Sequence, residues 1–231
     1  MSSFRKRNEL KNLFGHHTVS ELNDQSNATA VTRERIVEAA RSLFFKQGYA
    51  ATGVAQILKE ADANSGSLYH FFPSKDDLLV AVLEKYQEML EPQVLKPAFS
   101  RTNDPIKRLF AVLEGYRLLL EATHFELGCP IGNLALEVSN SQPEARKLII
   151  RNFRAWCDAI RQLIEEAADR FPSDIESSSL ATYVLATMEG AVMLARAYRS
   201  FEPFDQAISQ LEDYIKRLMR EHAARKKRRT K

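Results

Sequence analysis

Ser65, Gly66, Ser67, Tyr69 and His70 lie within six consecutive residues, between a turn signal at Ala61-Asp62-Ala63 and a stop at Pro73. With Leu68 set inward and about 100° of rotation per residue, Gly66 and His70 point outward, flanked by Ser67 and Tyr69. Phe71 and Phe72 fall on the inward side with Leu68. An outer face of hydroxyls and one imidazole, with a glycine that admits close backbone approach, suits a DNA major groove. Serines reach phosphates or base edges, and Tyr69 and His70 can meet phosphates or thymine methyls. Lys75, at the next helix start, adds a phosphate contact beside amide groups that favour an anion. The competing reading, an ordinary bundle core, is poor because outward Gly, Ser and His pack badly.

A second constellation surrounds Cys129. A cysteine just ahead of a proline-started helix lies near a positive dipole end, which predicts a lowered thiol pKa. The bland alternative is a small buried packing residue. Cys157, beside Trp156 in an amphipathic run, reads as packing, and nothing in the spacing requires a Cys129–Cys157 disulfide. Glu189 and Arg196 stand two helical turns apart in an otherwise apolar stretch, with Met193 between them. Buried charges need partners, so they pair across a subunit seam or Arg196 meets a ligand carboxylate. Tyr116 and Arg117 follow the same logic. Cys129 and His124 invite a nucleophile–base reading, but their separation in sequence establishes no geometry. No metal-ligand cluster, phosphate loop or Ser/His/Asp spacing is present, so no enzyme, cofactor or metal is expected.

The elements that must position these groups are all helical, about nine in number. Residues 1–30 lack a sustained period and read as a disordered extension, with at most a frayed turn near Glu9–Phe14. Residues 31–78 form a three-helix helix-turn-helix unit. Its first helix buries Ile36, Ala40, Leu43 and Phe44 and stops near Gly48; Thr52 caps a second that buries Val54, Ile57, Leu58 and Ala61. Asn64 caps the third, and Ser74 caps a fourth whose first turn carries Asp76 and Asp77. Residues 79–222 hold longer helices, with boundaries at Asp104-Pro105, Pro130, Pro143, Pro172, Asp174 and Pro203. A linking helix runs from about Lys75 to Glu91. Residues 223–231 form a basic tail.

Composition agrees with a helical protein that buries a large core: 231 residues, 45% hydrophobic, with only 8 Gly and 8 Pro. The net charge of +3 misleads, because Arg225, Lys226, Lys227, Arg228, Arg229 and Lys231 supply six charges at the end, leaving −3 (+3 less six) elsewhere. No leader-like apolar segment and no run of 18 apolar residues is present, and two cysteines suit a reducing cytosol, so a cytoplasmic protein with no membrane partner is expected.

The stretch TGVAQILKEADANSGSLYHFFPSKDDLL resembles the DNA-binding signature of the TetR family of bacterial regulators, over about Thr32 to Val82. That resemblance implies DNA contact at Thr52, Ser65, Gly66, Ser67, Tyr69, His70 and Lys75. Asp62 stands where the family often has glycine, and aspartate tolerates a left-handed turn. Ser65 stands where the family often has lysine, which weakens the salt dependence. The run GCPIGNLALE, with Trp156 and EGAVMLAR, resembles the subgroup that answers electrophiles, oxidants or small unsaturated acids, where the matching cysteine is modified or lines the pocket. A sensor group of Cys129, Asn133, Trp156, Tyr116, Arg117 and Arg196 is expected. The family further implies a homodimer joined through the last two long helices, a pseudo-palindromic double-stranded operator, and a repressor released by a small-molecule inducer. An architectural DNA binder without inducer is the rival, and it predicts a solid C-terminal body.

Overall fold

The computed structural model describes the backbone of residues 19–229 and the side chains of 28–224. The disordered extension expected for residues 1–30 falls partly outside that range, as do the Glu9–Phe14 turn and the side chains of Arg225 to Lys231. Within it, the first helix, α1, spans Val19–Gln47, so helix begins well ahead of residue 31, where the helix-turn-helix unit was expected to start. The others are α2 (Val54–Glu60), α3 (Ser65–Phe71), α4 (Lys75–Met89, continuing through a π-helical turn Leu90–Leu95 to Lys96–Phe99), α5 (Pro105–Ala122), α6 (Pro130–Val138), α7 (Pro143–Glu166), α8 (Ser177–Tyr198) and α9 (Glu202–Arg229). The chain is all-helical over the described residues, with no strand.

Local chemistry sets most of the boundaries. The Asp104 carboxylate accepts from the Ile106 and Lys107 amides at 2.9 and 3.0 Å and opens α5 at Pro105. Ser74 Oγ accepts from Asp77 N at 3.1 Å while Asp77 Oδ2 accepts from Ser74 N at 3.0 Å, a reciprocal cap that starts α4. The linking helix was expected to end near Glu91, yet α4 runs on through Pro92 and Pro97. A proline has no N–H to give the helical ladder, and the wider π turn is how the rod absorbs that loss.

Helices α2, α3 and α4 each pack on α1, around Ile36, Ala40, Ile57, Leu68, Leu78 and Leu79, all 0% exposed. Each of the buried leucines and isoleucines gains roughly 1.5–3 kcal/mol from burial. The larger body wraps α8 with α5, α7 and α9. Helix α8 is long and apolar enough to cross a membrane by length and composition, but it carries Glu189 and Arg196 and packs within the bundle. Helix α4 joins the two parts: Lys85 pairs with Glu34 of α1 at 2.6 Å, and Asn152 of α7 donates to the Leu83 carbonyl at 3.0 Å.

Candidate nucleic-acid interface and sensor cavity

The reading helix α3 is positioned by its turn. Asp62 takes a φ of +45°, the left-handed bend expected of it, and Arg35 Nη2 donates to its carbonyl at 2.9 Å. The Asn64 side chain accepts from Ser67 N at 2.8 Å, as a cap should. Leu68 is 0% exposed and Tyr69 54% exposed, so the wheel orientation is reproduced in space. Ser65, Gly66 and His70 are exposed and Ser67 is half-buried.

Two residues grouped with them are placed differently. Thr52 is 1% exposed; its hydroxyl donates to the Gly48 carbonyl at 2.7 Å and accepts from Gln47 Nε2 at 3.2 Å. It fastens the α1–α2 corner from inside. Gly53, not Thr52, caps α2, with Gln56 Oε1 accepting from the Gly53 amide at 2.9 Å. Lys75 is half-buried: its ammonium donates to the Tyr49 carbonyl at 2.6 Å and lies 4.1 Å from the Tyr49 ring centroid. Burial lowers its pKa, against the pull of Glu137 and Asp76. A side chain so engaged is not a free phosphate ligand.

Sequence reasoning missed Glu137. This α6 carboxylate accepts from the Tyr49 and Ala50 amides at 2.8 and 2.5 Å, gripping the corner between α1 and α2. Gly48 makes room for it, with φ of +87° and a carboxylate oxygen 3.0 Å from where a Cβ would stand. The partners lie more than eighty residues apart, so no local pattern signals the contact.

Helix α6 starts at the other constellation. Cys129 caps it, with Sγ accepting from Gly132 N at 3.5 Å and the Tyr116 hydroxyl 3.8 Å away. The loop before it bends left-handed at two consecutive residues, His124 and Phe125, held by Arg199 on the His124 carbonyl at 3.0 Å. Cys129 is 3% exposed, and burial, then the Glu189 charge, push its thiol pKa well above the usual value. This reverses the lowered pKa expected from the helix terminus. A thiol shut away from water loses more to desolvation than the helix end returns. Both cysteines are free.

The thiol lies in a wall shared by two cavities. The larger, about 360 Å³, is lined by Tyr86, Met89, Leu90, Gln93, Tyr116, Cys129, Asn152 and Trp156 among others. Tyr116 and Trp156 meet at a ring separation of 5.8 Å. The smaller, about 300 Å³, holds Asn133, Phe153, Glu189, Met193 and Arg196. The expected sensor residues therefore divide. Arg117 belongs to neither: it pairs with Asp205 of α9 at 2.8 Å and stacks 4.3 Å from the Phe201 ring, so it braces the bundle. Arg196 donates to Asn133 Oδ1 at 2.8 Å and to the Glu126 carbonyl at 3.0 Å, so its partners are within the chain. Gly128 and Gly132 let these α8 side chains cross: a Cβ on Gly128 would stand 2.7 Å from Arg196 Cδ, and one on Gly132 would collide with the Glu189 carboxylate. Asn152, unremarked in the sequence, was findable as the one polar residue on the inward face Ala145, Leu148, Ile149, Asn152, Trp156, Ile160.

A groove-sized reading head on a cavity-bearing helical body defines a helix-turn-helix transcriptional regulator. Residues 36–82 match the model for bacterial regulatory proteins of the tetR family, and residues 105–210 match the C-terminal domain of LmrA/YxaF-like transcriptional regulators. An uncharacterized HTH-type regulator of Mycobacterium tuberculosis is 31% identical over 79% of this chain and 93% of its own length. The repressor NemR of Escherichia coli is 25% identical over 80% of this chain and 94% of its own; its crystal structure in the reduced form superposes with a TM-score of 0.68 over 79% of this chain and 96% of that one, at 26% identity. A TetR regulator from Chloroflexus aurantiacus gives a TM-score of 0.72 at 30% identity, covering 82% of this chain and 96% of that one. The chain belongs to the TetR family, with a C-terminal domain of the LmrA/YxaF-like kind. Regulators of this family bind DNA as dimers and respond to small molecules.

Proposed function

We propose that this chain is a cytoplasmic, homodimeric repressor, released from a pseudo-palindromic operator when a small molecule enters the larger cavity or modifies Cys129. The observation that carries the reading is continuity: Cys129 opens α6 beside the cavity, and Glu137 near the other end of that helix grips the reading head. Helix α4 offers a parallel route, since it starts at Lys75 in the head and lines the cavity along Tyr86 to Pro97. A cavity of this size argues against the rival architectural binder, which needs a solid body. Tyr183, Met193, Leu194, Tyr198 and Tyr214 leave an exposed apolar face on α8 and α9, which supports a second copy packing there. The effect of any ligand is bounded by its difference in affinity between the operator-competent and released shapes.

Footprinting upstream of the protein's own operon tests the assignment: purified protein should protect a two-fold symmetric site, and no protection at any salt below about 0.2 M overturns it. Cys129→Ser should leave operator affinity intact and blunt release by electrophiles; an unchanged response reduces this cysteine to packing. Glu137→Gln removes the charged grip on the Tyr49 and Ala50 amides. Those amides are near solvent and can turn to water, so stability should fall by only about 1 kcal/mol. The coupling should fall more: the loss of operator affinity on Cys129 modification, of the order of 5–150-fold in allosteric proteins generally, should shrink several-fold in the variant, as read by titration with and without modifier. An undiminished ratio assigns transmission to α4 alone.

A further inference from the structure

We propose that Glu189 is the proton acceptor that activates Cys129 when its thiol attacks an electrophile in the larger cavity. The inference rests on the sensing role proposed above for that cysteine. Only the thiolate is a competent nucleophile, and at 3% exposure the Cys129 thiol meets little bulk solvent that could take its proton. An acceptor built beside the sulfur would speed that loss. Tyr116 Oη, at 3.8 Å, and the Gly132 amide, at 3.5 Å, both present hydrogens to it, so they can hold a developing thiolate but cannot take the proton. Glu189 is the acceptor that remains. Its carboxylate shares the space over Gly132 with the Cys129 side chain and interacts with it, and Oε1 is buried with no hydrogen-bond partner among the described residues. Its neighbour on α8, Arg196, gives its two Nη atoms to Asn133 and Glu126, while its Nε is also buried without a hydrogen-bond partner among the described residues.

Placement completes the case. Cys129 lines both cavities; Glu189 lines only the smaller one and not the chamber that would admit the ligand. Base and electrophile thus approach the sulfur from different sides and do not compete for space. For an α,β-unsaturated carbonyl, the S–H bond breaks and its proton passes to the Glu189 carboxylate. The freed sulfur pair forms a C–S bond at the β-carbon, and the alkene pair moves to the carbonyl as an enolate. The enolate then takes a proton from a cavity water, and the proton held by Glu189 neutralises the hydroxide left behind, so the thiol has added across the double bond with no oxidant or reductant.

The test is the rate at which N-ethylmaleimide alkylates Cys129 in the full chain, with peptide mass mapping to separate it from Cys157. Glu189→Gln, close in shape but unable to accept the proton, should slow the adduct by about 100-fold, in the range general bases contribute. Glu189→Asp should recover part of that rate, and operator affinity should be the same in all three proteins. The opposite sign overturns the proposal: if Glu189 merely repels the thiolate, its neutralisation makes the thiol more acidic, and Glu189→Gln reacts as fast as the parent or faster. Gly132→Ala, whose methyl must displace the carboxylate, gives a second reading and should also slow the reaction; an unaltered rate there counts against the proposal. A parent protein with no Cys129 adduct sinks the sensing role itself, whereas alkylation undiminished by Glu189→Gln removes only the part given to Glu189.

Discussion

Replacing Tyr69 and His70 together by alanine should abolish specific operator binding while leaving the fold and its thermal midpoint almost unchanged. Both side chains are on the outer face of α3, Tyr69 54% exposed and His70 likewise exposed, and neither is needed by the core. Truncation at such positions costs a fold little, usually within about 0.5 kcal/mol. On DNA each lost contact is worth about 1–1.5 kcal/mol. Two side chains on each of two heads sum to about 4–6 kcal/mol, roughly a thousand- to twenty-thousand-fold in affinity. Non-specific association should survive, because it depends on phosphate charge and not on these groups. Titration of operator and scrambled duplexes at one salt concentration checks this. Specific binding within tenfold of the parent would move the reading face elsewhere.

Leu68→Ala, one residue earlier, should fail in the opposite way. Leu68 is 0% exposed and packs among Ile36, Ile57 and Phe72, with no contact available to DNA. Its loss removes burial and leaves a cavity in a small three-helix unit, at about 2–5 kcal/mol. That is a large part of the 5–15 kcal/mol typical of a whole domain. Denaturant unfolding should show the head melting at lower concentration. Amide exchange in α2 and α3 should rise ahead of the body. DNA binding should weaken because the head is partly unfolded, and a duplex in excess should restore both. A variant as stable as the parent would mean that this helix does not face inward at Leu68.

The contrast between adjacent residues was legible because the head is built from local signals. Apolar spacing oriented α3, Asn64 and Ser74 marked its borders, and the tolerance of aspartate for a left-handed bend covered Asp62. What failed was any judgement that needed the third dimension. A threonine at a helix start looks the same whether its hydroxyl faces water or, as Thr52 does, a carbonyl inside. A lysine at a helix start gives no sign that a tyrosine will fold over it. The thiol acidity of Cys129 was misjudged because a helix terminus is visible in sequence and burial is not. Arg117 was grouped with the sensor on charge alone, and its partner Asp205 belongs to a distant helix. The linking helix was ended near Glu91, since sequence cannot show that a rod will continue through a π turn.

That turn gives α4 a compliant joint. Where Pro92 breaks the ladder, the rod is missing bonds that would otherwise resist flexing, and the joint coincides with the cavity wall at Leu90, Gln93 and Val94. From there to Lys75 is about 22 Å at 1.5 Å per residue, so a tilt of about 5° swings the far end by about 2 Å. Two heads meant to enter grooves about 34 Å apart would both be carried off register by so small a hinge movement.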